Sequence, residues 1–534
     1  MRVDNPILPG FHPDPSIVCV DGTYYIATST FEWWPGVCIH RSTDLVHWEH
    51  AAYALDRRTQ LGMRGNPDSG GVWAPCLSWA DGRFWLIYSD VKGLHGPFKD
   101  VTNYLVTAER IEGPWSDPIR LNTSGFDPSL FHDADGRKWL LNQVWDSRPG
   151  RNPFHGIALQ EYSVREQRLI GEPALIFRGT ALGVTEGPHL YRKDGYYYLV
   201  TAEGGTGWEH AVTVARARHL HGPYEVSPHH PLLTASHAPE ARLQKAGHAS
   251  FVRSPDGNWY LAHLCARPVG SHRRCILGRE TALQRLVWPE GEWPRLATGG
   301  QTPADAIEIP LPPGTSAAPS PGYRVRFRDD FDAPRLGPEW NTLREPPAPE
   351  WLSLTERPGH LRLRGRYSLH AAFDQSLAGV RATHHRCRAA AAIDFSPRSW
   401  QQQAGLVFYY NTRHFHYLHV TADDRGRRVL NILCADNGRF WHPMEHPVPV
   451  AAHGPLILRA DLLGTDLQFI MVDPAGGAET PIGPVLDATL VSDDRVIETG
   501  YWGFTGAYFA LCAQDTGNTG IPADFDWFAC DAIP

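Results

Sequence analysis

An Asp-Gly pair recurs five times in the first part of the chain, at Asp21-Gly22, Asp81-Gly82, Asp135-Gly136, Asp194-Gly195 and Asp256-Gly257. The steps between them are 60, 54, 59 and 62 residues. A fixed period of that length signals repeated supersecondary units. Each pair is preceded by a short apolar run (DPSIVCV, WAPCLSWA, DPSLFHDA, EGPHLYRK, HASFVRSP) and followed by another (YYIATS, FWLIYSD, KWLLNQVW, YYYLVTAE, WYLAHL). Such runs, rich in Tyr, Trp, Val and Leu and joined through Asp-Gly, read as β-hairpins. A further apolar run follows in most units, as in NYLVTAERIEGPW and TVARARHLHGPY. Five units with no sustained helical period predict an all-β fold, a five-bladed β-propeller over residues 1–301.

Residues 302–322, TPADAIEIPLPPGTSAAPSPG, lack periodicity and are rich in Pro, Ala, Ser and Gly, so they read as a linker. Beyond them, runs such as HLRLRG, AGLVFYY, FHYLHVTA and LQFIMVD alternate with turn signals. Residues 323–534 are therefore expected to form a jelly-roll β-sandwich.

At 534 residues the chain has length for both cores. A net charge of −8 gives no footprint for nucleic acid, and no apolar run is long enough to cross a membrane. The nine cysteines show no CxxC pairing, and MRVDNPILPGFHPDPS has no charged-then-apolar leader. A cytoplasmic protein with reduced thiols is the expectation.

In a propeller the innermost strand of every blade lines one channel, so equivalent positions on those strands converge. Eight residues before each later Asp-Gly pair stand Trp73, Asp127, Glu186 and His248; in the first unit the interval is seven and the residue is Asp14. Three carboxylates among apolar runs are costly unless the site uses them. Asp14-Pro15 and Asp127-Pro128 taken singly also suit a plain turn start, but Glu186 is a poor turn residue. The set points to glycoside hydrolysis, in which one acid must be held protonated and another ionised. Aromatic faces stack on the C–H surface of a sugar. Trp73 and Phe31 are candidates for that, with Trp33 and Trp34 equally suited to core packing.

At these residues the chain resembles glycoside hydrolase family 43, and closely its two-domain β-xylosidases. The likeness rests on NPILPGFHPDPSIV, YYIATSTFEWWPGV, GNPDSGGVWAP, GFDPSLFHD, TEGPHLY, TAEGGT, GHASFV and LGRETALQ, and it continues to GYWGFTGA. The resemblance implies a propeller followed by a β-sandwich, and hydrolysis with inversion. It makes Asp14 the general base, Glu186 the general acid, and Asp127 the residue that orients that acid and raises its pKa. It also implies that Arg279 binds sugar hydroxyls, that His248 hydrogen-bonds near the channel floor, and that the sandwich lends an aromatic residue to the pocket. Tyr508 is the expected counterpart there, with Phe509 and Phe504 as rivals. Cys76 stands where the family usually has an acid.

The implied activity is that of an exo-acting β-D-xylosidase on xylobiose and short β-1,4-xylo-oligosaccharides, with α-L-arabinofuranosidase side activity. An arabinofuranosidase or arabinanase on the same scaffold, and a sugar-binding propeller without activity, are the alternatives. No cofactor is required. Calcium near His248 stays open, because the matching histidine contacts calcium in some members. A homotetramer or homodimer is implied as well.

Overall fold

Residues 1–310 and 326–533 are described by the computed structural model of the protein. The five repeats are five separate sheets. Blade 1 is built from Ser16–Val20, Thr23–Thr28, Gly36–Ser42 and Glu49–Leu55. Blade 2 runs Gly71–Ala80, Arg83–Gly93, Asp100–Ala108 and Ile119–Arg120. Blade 3 runs Ser129–His132, Lys138–Trp145, Phe154–Ser163 and Arg168–Phe177. Blade 4 starts with Glu186–Lys193 and Tyr196–Glu203, and blade 5 with Gln244–Arg253 and Trp259–Ala266.

Every Asp-Gly pair closes the first hairpin of its blade, by two routes. Asp21-Gly22, Asp81-Gly82 and Asp194-Gly195 are two-residue loops with both residues at positive φ, the mirror-image turn that matches strand twist. In blades 3 and 5 only the glycine has positive φ. There the loops run from Asp133 to Arg137 and from Ser254 to Asn258. In each, the glycine amide donates back three residues to the Asp133 or Ser254 carbonyl.

The propeller does not share a strand between its first and last blades. Arg2–Asp4 instead pairs antiparallel with Ala306–Glu308 in a two-stranded sheet of its own. This corrects the linker expectation, since Ala306, Ile307 and Glu308 are strand and Ile307 is buried. Residues 311–325, the remainder of that stretch, lie outside the described residues.

The C-terminal part is a β-sandwich. One sheet holds Arg386–Asp394, Leu456–Leu463, Asp466–Val472 and Pro522–Ala532; the other holds Ser376–Arg381, Gln402–Asn411, His414–Ala422 and Tyr508–Asp515. The second sheet continues into the propeller. Trp33–Trp34 pairs with Trp340–Leu343 as its edge strand, in the register Thr342↔Trp34 and Leu343↔Trp33. An apolar cluster spans both parts, joining Phe11, Phe31, Trp33 and Trp73 to Tyr409, Tyr508 and Ala510. Trp33 lies flat on Tyr508, ring centroids 3.7 Å apart. Burying such rings contributes about 2–3 kcal/mol each, so the two parts are bound as one body. Among the described residues the only α-helix is Asp493–Glu498.

Candidate active site

Each innermost strand carries an irregularity at or near its start, seven or eight residues before the Asp-Gly pair. Asp14, Ala74, Asp127, Gly187 and His248 all have positive φ, between 24° and 56°. The pairing register shifts beside three of them, at Trp73/Cys76, Glu186/His189 and Gly247/Ala249. Four of the five are non-glycine residues in a conformation that L-residues rarely adopt, so each of these four carries backbone strain of about 1–3 kcal/mol. Bulges of this kind re-aim side chains next to active sites. At Gly187 a Cβ would stand 2.9 Å from His248 Nε2, so blade 4 approaches blade 5 this closely only through glycine.

The result is one pocket lined by Asp14, Phe31, Trp73, Phe126, Asp127, Glu186, Thr206, His210, His248, Arg279 and Phe504. Counted to its open mouth it holds about 370 Å³. Asp14, Asp127, Arg279, Phe31 and Trp73 are buried, while Glu186, Thr206 and Phe504 are partly exposed and form the mouth.

Asp14 accepts from the Ser29 hydroxyl at 2.6 Å and from Arg279 Nη1 at 3.2 Å. His248 Nδ1 stands 3.6 Å from the same carboxylate. Burial lowers the His248 pKa, Asp14 opposes this, and Arg279 adds to it. Asp127 accepts from the Gly187 amide at 3.1 Å, which ties it to the residue next to Glu186. Burial first, then the charges of Glu186 and Asp14, hold the Asp127 carboxyl well above the usual carboxylate range. Burial and the Asp14 charge push Glu186 up to about 8, against the pull of Lys99 and Arg279. Crowded acids in a desolvated cup keep a proton at neutral pH for this reason.

Arg279 is held by four residues of the pocket wall. Its Nε and Nη2 donate to the Phe504 carbonyl, its Nη1 donates to Asp14 and to the Thr206 hydroxyl, and its guanidinium lies 5.1 Å from the ring centres of Phe31 and Phe504.

One expectation is corrected. Tyr508 is fully buried behind the pocket, stacked on Trp33, and the sandwich residue that reaches the pocket is Phe504. The cause is that Tyr508 already belongs to the second sheet, paired with Arg381 and Tyr409, whereas Phe504 lies in the loop before that strand. Trp33 and Trp34 are likewise core residues, not sugar platforms. Cys76 stands in the channel behind the pocket, its Sγ 4.0 Å from His189 Nδ1.

Several lining groups carry no repeat signal. Phe126 could have been found as the neighbour of Asp127, and Thr206 as the end of TAEGGT. His210 offers no such clue; burial drives its pKa down to about 3, so it is neutral. Lys99 sits at the mouth with its ammonium 4.4 Å from the Trp145 ring centre and within 5.7 Å of those of Trp73, Phe126 and Trp502. Burial pulls the Lys99 pKa down to about 8, against the charges of Glu186 and Asp127.

Calcium beside His248 would take six to eight oxygen ligands, waters among them. This imidazole faces Asp14 and the Gly187 backbone, and the channel behind adds His189 and Cys76. The one grouping of metal-type donors among the described residues, His12, Cys38 and His40, lies near Arg381, whose charge opposes a second cation.

Comparison with known proteins agrees with this fold. Residues 3–294 match the model of glycosyl hydrolases family 43, and residues 328–531 match the β-xylosidase C-terminal concanavalin A-like domain. The chain belongs to glycosyl hydrolase family 43. It is 48% identical to a xylosidase/arabinosidase 43B of Humicola insolens, covering 99% of this chain and 97% of that one. It is 46% identical to a β-xylosidase of Bacillus subtilis, covering 99% of both. A crystal structure of a xylan β-1,4-xylosidase from Bacillus halodurans superposes with a TM-score of 0.94 at 50% identity, over 99% of this chain and 100% of that one. The fold is thus a family 43 five-bladed propeller carrying a concanavalin A-like sandwich.

Proposed function

We propose that the protein is an exo-acting β-xylosidase that releases xylose from the non-reducing end of xylobiose and short β-1,4-xylo-oligosaccharides with inversion. The observation that carries this is the convergence of Asp14, Asp127, Glu186 and Arg279, from four different blades, on one pocket. In this reading Arg279, Trp73, Phe31 and Phe504 hold the terminal ring. Asp14, kept as an acceptor by Ser29 and Arg279, takes a proton from the attacking water. Glu186, partly exposed at the mouth and protonated at neutral pH, gives its proton to the leaving oxygen. Asp127 orients Glu186 through the Gly187 amide, and His248 braces Asp14. No cofactor enters any step.

The deciding experiment follows xylobiose hydrolysis by proton NMR. α-Xylose as the first-formed anomer supports inversion by these residues, and β-xylose would refute it. α-L-Arabinofuranosidase side activity is part of the reading, because the Humicola relative is named for both sugars. Rates on p-nitrophenyl β-xyloside and α-arabinofuranoside measure the balance.

A cytoplasmic location is supported by nine free cysteines, seven of them buried. No helix among the described residues is long and apolar enough to cross a membrane. The homo-oligomer implied by the family resemblance is checked by light scattering on the purified protein.

A further inference from the structure

Behind the mouth of the pocket lies a second carboxylate site that the reaction does not touch. Glu203 is completely buried, at the end of the second strand of blade 4. Among the described residues it forms no ion pair with lysine or arginine. Instead it accepts four hydrogen bonds. Its Oε1 takes the Thr180 amide at 2.7 Å and the Thr185 hydroxyl at 2.8 Å; its Oε2 takes the Thr180 hydroxyl at 2.5 Å and the Thr213 hydroxyl at 2.7 Å. A buried carboxylate without a cation is stable only when its lone pairs are filled this way.

Three of the four hydrogen bonds come from the segment that delivers Glu186, and the fourth comes from Thr213 on the neighbouring strand Ala211–Ala217. Thr180 opens the loop after blade 3, Thr185 immediately precedes Glu186, and the Gly204 amide next to Glu203 donates to the Gly183 carbonyl at 2.8 Å. Glu186 itself begins its strand at a register shift, so ladder pairing holds it on one side only. From these contacts we infer that Glu203 is a positioning residue: by gripping Thr180 and Thr185 it fixes the backbone that aims Glu186 at the leaving oxygen. This rests on the reading of Glu186 as general acid.

A group that acts only by aiming an acid should matter only when the leaving group needs a proton. Xylobiose leaves as a sugar alkoxide and requires protonation; 2,4-dinitrophenyl β-xyloside leaves as a stable phenolate and does not. The test measures kcat/KM on both substrates for the wild type, Glu203→Ala, Glu203→Gln, Thr185→Val and Glu186→Gln.

Misplacing a catalytic group by about 1 Å costs on the order of 10²-fold. Glu203→Ala and Thr185→Val are therefore expected to lose about that factor on xylobiose and to stay within about threefold on the dinitrophenyl glycoside. Glu203→Gln should recover much of the loss. Its amide oxygen can still accept the Thr180 N–H, and the threonine hydroxyls facing its NH₂ can turn to accept.

Equal losses on both substrates, or none on xylobiose, would overturn the inference, and Thr185→Val decides if Glu203→Ala does not fold. If Glu186→Gln shows the leaving-group selectivity while the Glu203 and Thr185 variants do not, only the clamp falls. If Glu186→Gln shows no selectivity, the acid assignment falls and the clamp with it.

Discussion

The carbonyl of Phe504 accepts two hydrogen bonds from the Arg279 guanidinium, 3.2 Å from Nε and 2.8 Å from Nη2. The sandwich thus supplies both a wall of the pocket and the anchor that turns the remaining face of Arg279 toward Asp14 and Thr206. A lysine offers three donors on one atom and cannot span this set. Arg279→Lys is expected to lower kcat/KM on xylobiose by about 10²-fold through lost geometry, with the same net charge. Steady-state kinetics with the thermal midpoint recorded alongside check this, and an unchanged kcat/KM would show that the bidentate anchor is unimportant.

Phe504 and Tyr508 should separate cleanly by mutation. Phe504 lines the pocket, so Phe504→Ala is expected to raise KM about tenfold through lost apolar contact with the sugar. Tyr508 does not line the pocket, and its hydroxyl makes one long contact, 3.5 Å to Asn341 Oδ1. Tyr508→Phe should leave kcat and KM within about twofold and change stability by no more than about 1 kcal/mol. Kinetics and urea unfolding of the two variants test the assignment, and the reverse pattern would restore Tyr508 to the site.

These two residues also show where the sequence stops being informative. The hairpins are readable because Asp-Gly turns are local, and the acids are readable because they stand seven or eight residues before those turns. The strand Tyr508–Asp515 is buried along its whole length, so no alternation marks which side chains face the pocket. Trp33–Trp34 becomes a strand only by pairing with Thr342 and Leu343, some three hundred residues away, and nothing local announces it. Ala306–Glu308 hides in a proline-rich stretch because its partner is the N-terminus. Lys99, Thr206 and His210 stand on interstrand loops, outside the repeat register that exposed Asp14, Asp127 and Glu186.

The alkaline limb of activity should follow Glu186. A general acid works while protonated, so with its pKa near 8, kcat/KM should fall as pH rises through that region. The Lys99 ammonium favours the ionised form of Glu186 and so lowers its pKa. Lys99→Met, which keeps the stem against the aromatic rings, is expected to move the alkaline limb to higher pH. A pH–rate profile on xylobiose reads this out, and a limb that stays put or moves down contradicts the electrostatic coupling.

The same raised pKa makes Glu186 a burden on stability. Its ordinary value is 4.5 and its folded value is about 8, so between these the folded state holds a proton that the unfolded chain has lost. Stability therefore falls as pH climbs through that window, and below pH 4.5 the contribution is fully relieved. Glu186→Gln removes the titration while keeping the shape. It should raise the thermal midpoint relative to wild type at pH 7, with the difference shrinking toward pH 4, while cutting kcat on xylobiose by about 10²–10⁴-fold. Calorimetry at pH 4, 5.5 and 7 follows the predicted sign. A variant less stable than wild type at pH 7 would mean that the Glu186 carboxyl is ionised in the folded protein and paired, rather than held protonated by its surroundings.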